Sequence, residues 1–101
     1  MKEVQLQREV LDLLAHLPNT YFFRTSTGLI KTERGNWFRT GKKGLPDICG
    51  VIDGKFYGLE IKVGKNKLSI FQQQAKEEIE KAGGEYWEVR SLNDVIKKLG
   101  V

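Results

Sequence analysis

Cysteine and histidine are almost missing from this chain: one of each stands among 101 residues. A single cysteine, Cys49, excludes an internal disulfide. Set beside Ile48 in an apolar run, it is expected to be a small buried residue rather than a nucleophile or a metal ligand. A single histidine, His16, excludes zinc chemistry built on a histidine cluster. No apolar run approaches the roughly 20 residues that cross a bilayer, and Met1-Lys2-Glu3 does not open like a signal peptide. The expectation is an intracellular, cytoplasmic protein with no membrane partner. Internal repeats and low-complexity stretches are also lacking, and prolines number only two.

What is present suits one domain spanning residues 1–101. Hydrophobic residues make up 40% and charged residues 30%, enough for a small core in an ordinary globular chain. The net charge of +4 is unevenly distributed. Between Arg24 and Lys43 stand Arg24, Lys31, Arg34, Arg39, Lys42 and Lys43 against Glu33 alone, a local excess of five, so the remainder sums to −1. Such a segment is either the footprint of a polyanion whose phosphates must be held, or the solvated loop of a basic protein.

From Glu3 to Leu17 the apolar residues Leu6, Val10, Leu13, Leu14 and Leu17 recur on one helical face, and Pro18-Asn19 stops the helix. Glu3 falls within that face, and Glu9 at its margin. A carboxylate in the first turn also complements the helix dipole, which is a sufficient reason for Glu3 by itself. The aromatic run Tyr21 to Thr25 predicts a first strand. Residues 26–43, with glycines at 28, 35 and 41, suit either an ordered arm with a short pair of strands or a loop that orders on a ligand. Trp37 and Phe38 lie between Arg34 and Arg39, a pattern fit for stacking on an unpaired base or for a subunit interface.

The informative stretch is Gly44 to Val63. Asp53-Gly54 is the dipeptide of a type I′ hairpin turn, whose two central residues need positive φ. Counting back from that turn places Asp47 opposite Glu60, and period-two alternation places Lys62 on the face of Glu60. Two opposed carboxylates cost stability unless neutralised, and a hard divalent cation with oxygen ligands, Mg2+ or Mn2+, is the natural neutraliser. The plainer alternative makes Asp47 a residue at the start of a strand and Glu60 and Lys62 ordinary edge charges. Against it, Gly50, Ile52, Leu59, Ile61 and Val63 predict burial of the opposite face, where a central strand gains nothing from idle charges.

After the hairpin, Gly64 to Lys67 form a turn that adds Lys65 and Lys67 to the cations. Ser69 and Gln72 have capping-box spacing, and Phe71, Ala75, Ile79 and Ala82 continue a helix that Gly83-Gly84 end. Tyr86 to Arg90 predict a strand reached by a parallel crossover. A short helix from Ser91 to Leu99 closes the chain. The expected fold class is α/β: a mixed sheet flanked by helices in the order α-β-β-β-α-β-α.

Pro46-Asp47, twelve intervening residues and Glu60-Ile61-Lys62 match the PD-(D/E)XK nuclease pattern. With Gly44-Leu45 before it, Ile48 after Asp47, and Leu68-Ser69 followed by Gln72, the chain resembles the virus-type replication-repair nuclease (VRR-NUC) family over nearly its whole length. The resemblance implies a restriction-endonuclease-like domain acting as a Mg2+- or Mn2+-dependent endonuclease on structured DNA, such as four-way junctions. It implies catalytic roles for Asp47, Glu60, Lys62 and Gln72, and a metal held by Asp47, Glu60, the Ile61 carbonyl and Glu3, with Glu9 in reserve for the last position. It further implies a DNA surface formed by Arg24, Lys31, Arg34, Arg39, Lys42, Lys43, Lys65 and Lys67, a homodimer, and a bacterial or phage-infected cell. Ser26 and Thr27 depart from the family, where asparagine often follows the first strand's arginine. The competing reading is an inactive DNA-binding or interaction module of the same fold, and its discriminator is the loss of one of Asp47, Glu60 or Lys62. None is missing here.

Overall fold

The expected turn at positions 53 and 54 forms, with φ of 49° at Asp53 and 83° at Gly54. The computed structural model describes residues 2–25 and 28–100, with the side chains at 28–30 and 38–40 outside that description. Ser26 and Thr27, and the side chains of Phe38 and Arg39, on which several expectations rested, therefore lie outside the described residues.

The elements in order are α1 (Glu3–Ala15), β1 (Thr20–Arg24), β2 (Gly28–Lys31), β3 (Trp37–Thr40), β4 (Ile48–Ile52), β5 (Lys55–Ile61), α2 (Ile70–Lys81), β6 (Glu85–Val89) and α3 (Leu92–Leu99). Four strands form one mixed sheet in the order β1-β4-β5-β6. Along that sheet and its helices the succession is α-β-β-β-α-β-α, as expected. The cationic segment is an ordered arm: β2 and β3 pair antiparallel in a sheet of their own.

The register of β4 on β5, from Ile52↔Lys55 to Ile48↔Leu59, is the one the two-residue turn dictates. β1 pairs antiparallel with the other edge of β4, and β6 pairs parallel with β5, Glu60 beside Glu88. The core lies on one side of this sheet. Leu6, Val10 and Leu14 of α1 and Val95 of α3 pack on Ile48, Leu59, Ile61, Trp87 and Val89 of the strands. Each such aliphatic side chain, fully buried, contributes roughly 1.5–3 kcal/mol.

α2 lies on the opposite side, over β5 and β6. A Cβ at Gly58 would sit 2.6 Å from Cγ of Pro46 and 3.5 Å from Cδ1 of Ile79, so glycine there lets the 44–47 loop and α2 approach the sheet. Gly44, at φ 83°, places its backbone against Phe71 in the first turn of α2. The loop that delivers Asp47 is thereby seated on the helix that delivers Gln72.

Boundaries shift slightly from the periodicity. α1 ends at Ala15 rather than Leu17, with the His16 N–H donating to the Leu13 carbonyl and the Leu17 N–H to the Leu14 carbonyl. Asn19, at φ 59°, turns the chain immediately after Pro18. Thr25 falls outside β1, although its N–H still bonds the Asp47 carbonyl at 2.9 Å.

Candidate active site

Asp47 enters β4 behind the buried Pro46 and is held from both sides. Its backbone carbonyl accepts the Thr25 N–H, the Thr25 hydroxyl donates to the Pro46 carbonyl, and its Oδ2 accepts the Ile61 N–H at 2.9 Å. The carboxylate thus takes over a backbone donor just beyond the β4–β5 ladder, which fixes its direction towards β5.

Glu60 is the one buried charged residue among the described residues, 2% exposed. Its Oε2 accepts from Gln72 Nε2 at 3.1 Å and lies 3.8 Å from Lys62 Nζ. Its Oε1 is buried and has no hydrogen-bond partner among the described residues. Burial first, and then the neighbouring Asp47 carboxyl, push the Glu60 carboxyl up to about 8, against the smaller pull of Lys62. Glu3 adds a further, smaller push in the same direction. Isolated buried carboxylates are costly, and this one has a single amide bond and a distant ammonium in place of its hydration.

Gln72 caps α2, as its spacing predicts, and also touches Glu60. Its Oε1 accepts the Ser69 N–H at 2.8 Å and its backbone N–H donates to Ser69 Oγ at 3.2 Å, completing the capping box, while its Nε2 reaches Glu60. A helix start rigidly tied in this way is a firm support for the acid.

Comparison of the chain with protein-family models, with curated proteins and with solved structures returns no match. The geometry alone carries the functional reading.

Asp47, Glu60 and Lys62 are brought together as the spacing predicts, and α2 adds Gln72, whose place beside them only the family resemblance implied. Glu3 is half-buried and acts on Glu60 through its charge, and among the described residues no three or more His, Cys, Asp or Glu side chains form a ready metal cluster. The acidic centre is therefore a pair, with Glu3 at longer range. Glu9 lies elsewhere, lining a cavity with Asp12, Leu13, His16 and Leu92. The pair nonetheless suits a hard cation: its donors are carboxylate oxygens, one of them buried and unpartnered, and a positive charge would relieve the repulsion that now retains a proton.

Two residues on this face had no role in the sequence reading. The Tyr86 hydroxyl is buried and has no partner among the described residues, and its proton is held tightly by burial first and then by the charges of Glu60 and Asp47. Cys49, buried as expected, has its thiol pushed up to about 11 by the same three causes, so it stays protonated and inert. Alternation along β4 placed Cys49 on the face of Asp47. Tyr86 was illegible because its face depends on the parallel register Gly58↔Tyr86.

The expected DNA-binding cations are dispersed. Arg24 donates through Nε to Gln7 at 2.9 Å, tying the end of β1 to α1. Lys31 lies over Trp37, Lys43 sits 3.7 Å from the Phe71 ring centroid, and Lys42 bonds Glu78 at 3.3 Å. The Lys42–Glu78 pair is solvent-exposed and so worth little, leaving Lys42 open to exchange for a phosphate. Lys65 and Lys67 are exposed on a turn that Arg90 fastens by donating to the Gly64 and Asn66 carbonyls. A cavity of about 260 Å³ between α2 and the 42–45 loop is lined by Lys42, Lys43, Leu45, Phe56 and Ile79, and none of Asp47, Glu60 or Lys62 borders it. No helix among the described residues is long and apolar enough to cross a membrane.

Proposed function

We propose that the chain is a Mg2+- or Mn2+-dependent DNA endonuclease. The observation that carries this reading is the convergence on one sheet face of Asp47, the buried and half-unpartnered Glu60, Lys62 and Gln72. Asp47, Glu60 and the Ile61 carbonyl would hold the ion, with Glu3 adding a ligand directly or through water. A divalent ion bound there supplies Lewis acidity towards a phosphate and makes a water acidic enough to attack.

The residues themselves divide the remaining work. The Ile61 N–H aims Asp47, and the Gln72 amide aims Glu60, so both acids are set before substrate arrives. Lys62, on the same face, stabilises the charge that accumulates on the non-bridging phosphate oxygens and orients the water. Attack in line forms a new P–O bond, breaks the P–O3′ bond and leaves a 5′-phosphate, with the departing O3′ taking up a proton. The exposed cations of the arm and of the 64–67 turn hold the flanking phosphates. Branched DNA such as a four-way junction is the proposed substrate. A homodimer, with Trp37 of the exposed arm as one contact, would present two sites to a two-fold symmetric junction.

A DNA-binding module without turnover is the second reading, favoured by one observation: the acidic centre is a pair rather than a triad. Incubation of the purified protein with labelled linear, flapped, nicked and four-way DNA, with and without Mn2+, separates the two. Metal-dependent cleavage that disappears in Asp47→Asn and Lys62→Ala supports the nuclease. Binding with no cleavage of any substrate leaves the module. The mass in solution tests the homodimer.

A further inference from the structure

We infer that the strand β1 is a stacking track for unpaired nucleotides leaving the acidic site, so that the DNA recognised there includes a single-stranded segment. The inference rests on the nuclease reading and names its substrate more closely.

α2 covers only part of the sheet face that bears Asp47 and Glu60, lying over β5 and β6. Beyond the buried Cys49, the β1–β4 half is left open. On that half stand Tyr21, 70% exposed, and Phe23, 47% exposed, with the exposed Val51 between Tyr21 and Phe56. Phe22, between the two aromatics in sequence, turns the other way and packs on the core, so the exposure is a property of the face and not of a loosely held strand.

The register measures how far the rings are from the acids. Phe23 pairs with Cys49, two residues along β4 from Asp47, and Tyr21 pairs with Val51, four residues along. At about 3.3 Å per residue, the two rings lie roughly 7 and 13 Å from Asp47 along the strand, a step close to twice the ~3.4 Å spacing of stacked bases. The ring centroids are 6.1 Å apart and the planes tilted by 48°, leaving the outer faces available rather than spent on each other. Arg24, tied to Gln7 of α1, shares the core face with Phe22 and adds nothing to the track, but the cationic arm follows the site end of the strand in sequence. Aromatic surface beside cations on a chain of +4 charge suits a polyanion with exposed base faces.

Two other occupants fit less well. A paired duplex keeps its base faces inside the stack and offers only phosphates and groove edges, for which aromatic rings have no use. A second copy of the chain would need about 20–30 residues on each side of a standard interface, and this open patch amounts to four side chains, Tyr21, Phe23, Val51 and Phe56.

The test is binding in EDTA, where cleavage plays no part. A short labelled oligothymidylate and a duplex of equal length are titrated with the wild-type chain, Tyr21→Ser, Phe23→Ser, Tyr21→Trp and Phe23→Trp, and folding is checked by circular dichroism. Each serine variant is expected to weaken oligothymidylate binding about tenfold and to leave duplex binding unchanged, while the tryptophan variants bind like wild type. Serine variants that bind the oligonucleotide normally, or that lose duplex and single strand alike, overturn the inference. So does a fall in solution mass in the serine variants, which would assign the patch to a second copy. Failure of the nuclease reading looks different: Asp47→Asn would still cleave in Mn2+, or no variant would cleave at all, with the EDTA titrations unaffected.

Discussion

Gln72 Nε2 donates to Glu60 Oε2 at 3.1 Å while Gln72 Oε1 accepts the Ser69 N–H at 2.8 Å, so one amide joins the start of α2 to the buried acid of β5. Gln72→Ala removes half of a capping box and the one hydrogen bond that a buried carboxylate makes among the described residues. The expected loss is roughly 1–3 kcal/mol in denaturant unfolding, from cap and buried bond together. Gln72→Glu keeps the Oε acceptor for Ser69 but adds a third carboxylate. It is expected to be less stable than wild type in EDTA and to gain more melting temperature on addition of Mn2+. Equal gains in the two proteins would remove Glu60 from the ion site.

The raised Glu60 carboxyl makes stability depend on pH in a definite direction. Its ordinary value is 4.5, and in the fold it is pushed up to about 8, by burial first and then by Asp47. Between those values the folded chain holds a proton that the unfolded chain has released, so stability falls as pH rises through the window and levels off above it. At about 1.4 kcal/mol per unit, the total is on the order of a few kcal/mol. Unfolding in EDTA across this range should show the slope in wild type and lose most of it in Glu60→Gln. A slope that persists in Glu60→Gln would place the proton elsewhere.

At the proposed ion site, a saturating divalent ion would compete with that proton. Thermal unfolding at pH 8 is therefore expected to shift upwards with Mn2+ concentration in wild type, following the logarithm of concentration once the site is filled. In Asp47→Ala the shift should be absent. That variant also strips the acceptor from the Ile61 N–H, and Asp47→Asn, which keeps an oxygen there, separates loss of the ion from loss of the backbone bond.

Gly58→Ala probes the seating of the loop that carries Asp47. The added methyl would fall 2.6 Å from Pro46 Cγ, so Pro46 must move. Overpacking of this kind costs typically about 1–3 kcal/mol. Because Asp47 follows Pro46 directly, cleavage should fall more steeply than stability alone explains at a temperature where the variant is fully folded. Full activity in a folded Gly58→Ala would show that Asp47 tolerates movement of the loop.

Local chemistry in the chain was enough for much of this molecule. Asp53-Gly54 admits one tight turn, and that turn sets the register from Ile52↔Lys55 outwards and sends Asp47 towards Glu60. Ser69 and Gln72 carry their capping box within four residues, and Leu6, Val10 and Leu14 declare the buried face of α1 by spacing alone. These features need only neighbours in sequence, and the backbone geometry of a turn or a helix does the rest.

Longer-range placement was decided by tertiary packing. That α2 settles over β5 and β6, bringing the Gln72 amide to Glu60, depends on Gly58 and Gly44 letting backbone and helix approach. That Tyr86 joins the acidic face depends on a parallel register across a helix-long crossover. The separation of Glu3 from a compact pair, and the open half-face with Tyr21 and Phe23, follow from how α1 and α2 divide the two sides of one sheet. Contacts between segments far apart in sequence are chosen by the burial of whole faces, and no short stretch of residues contains that choice.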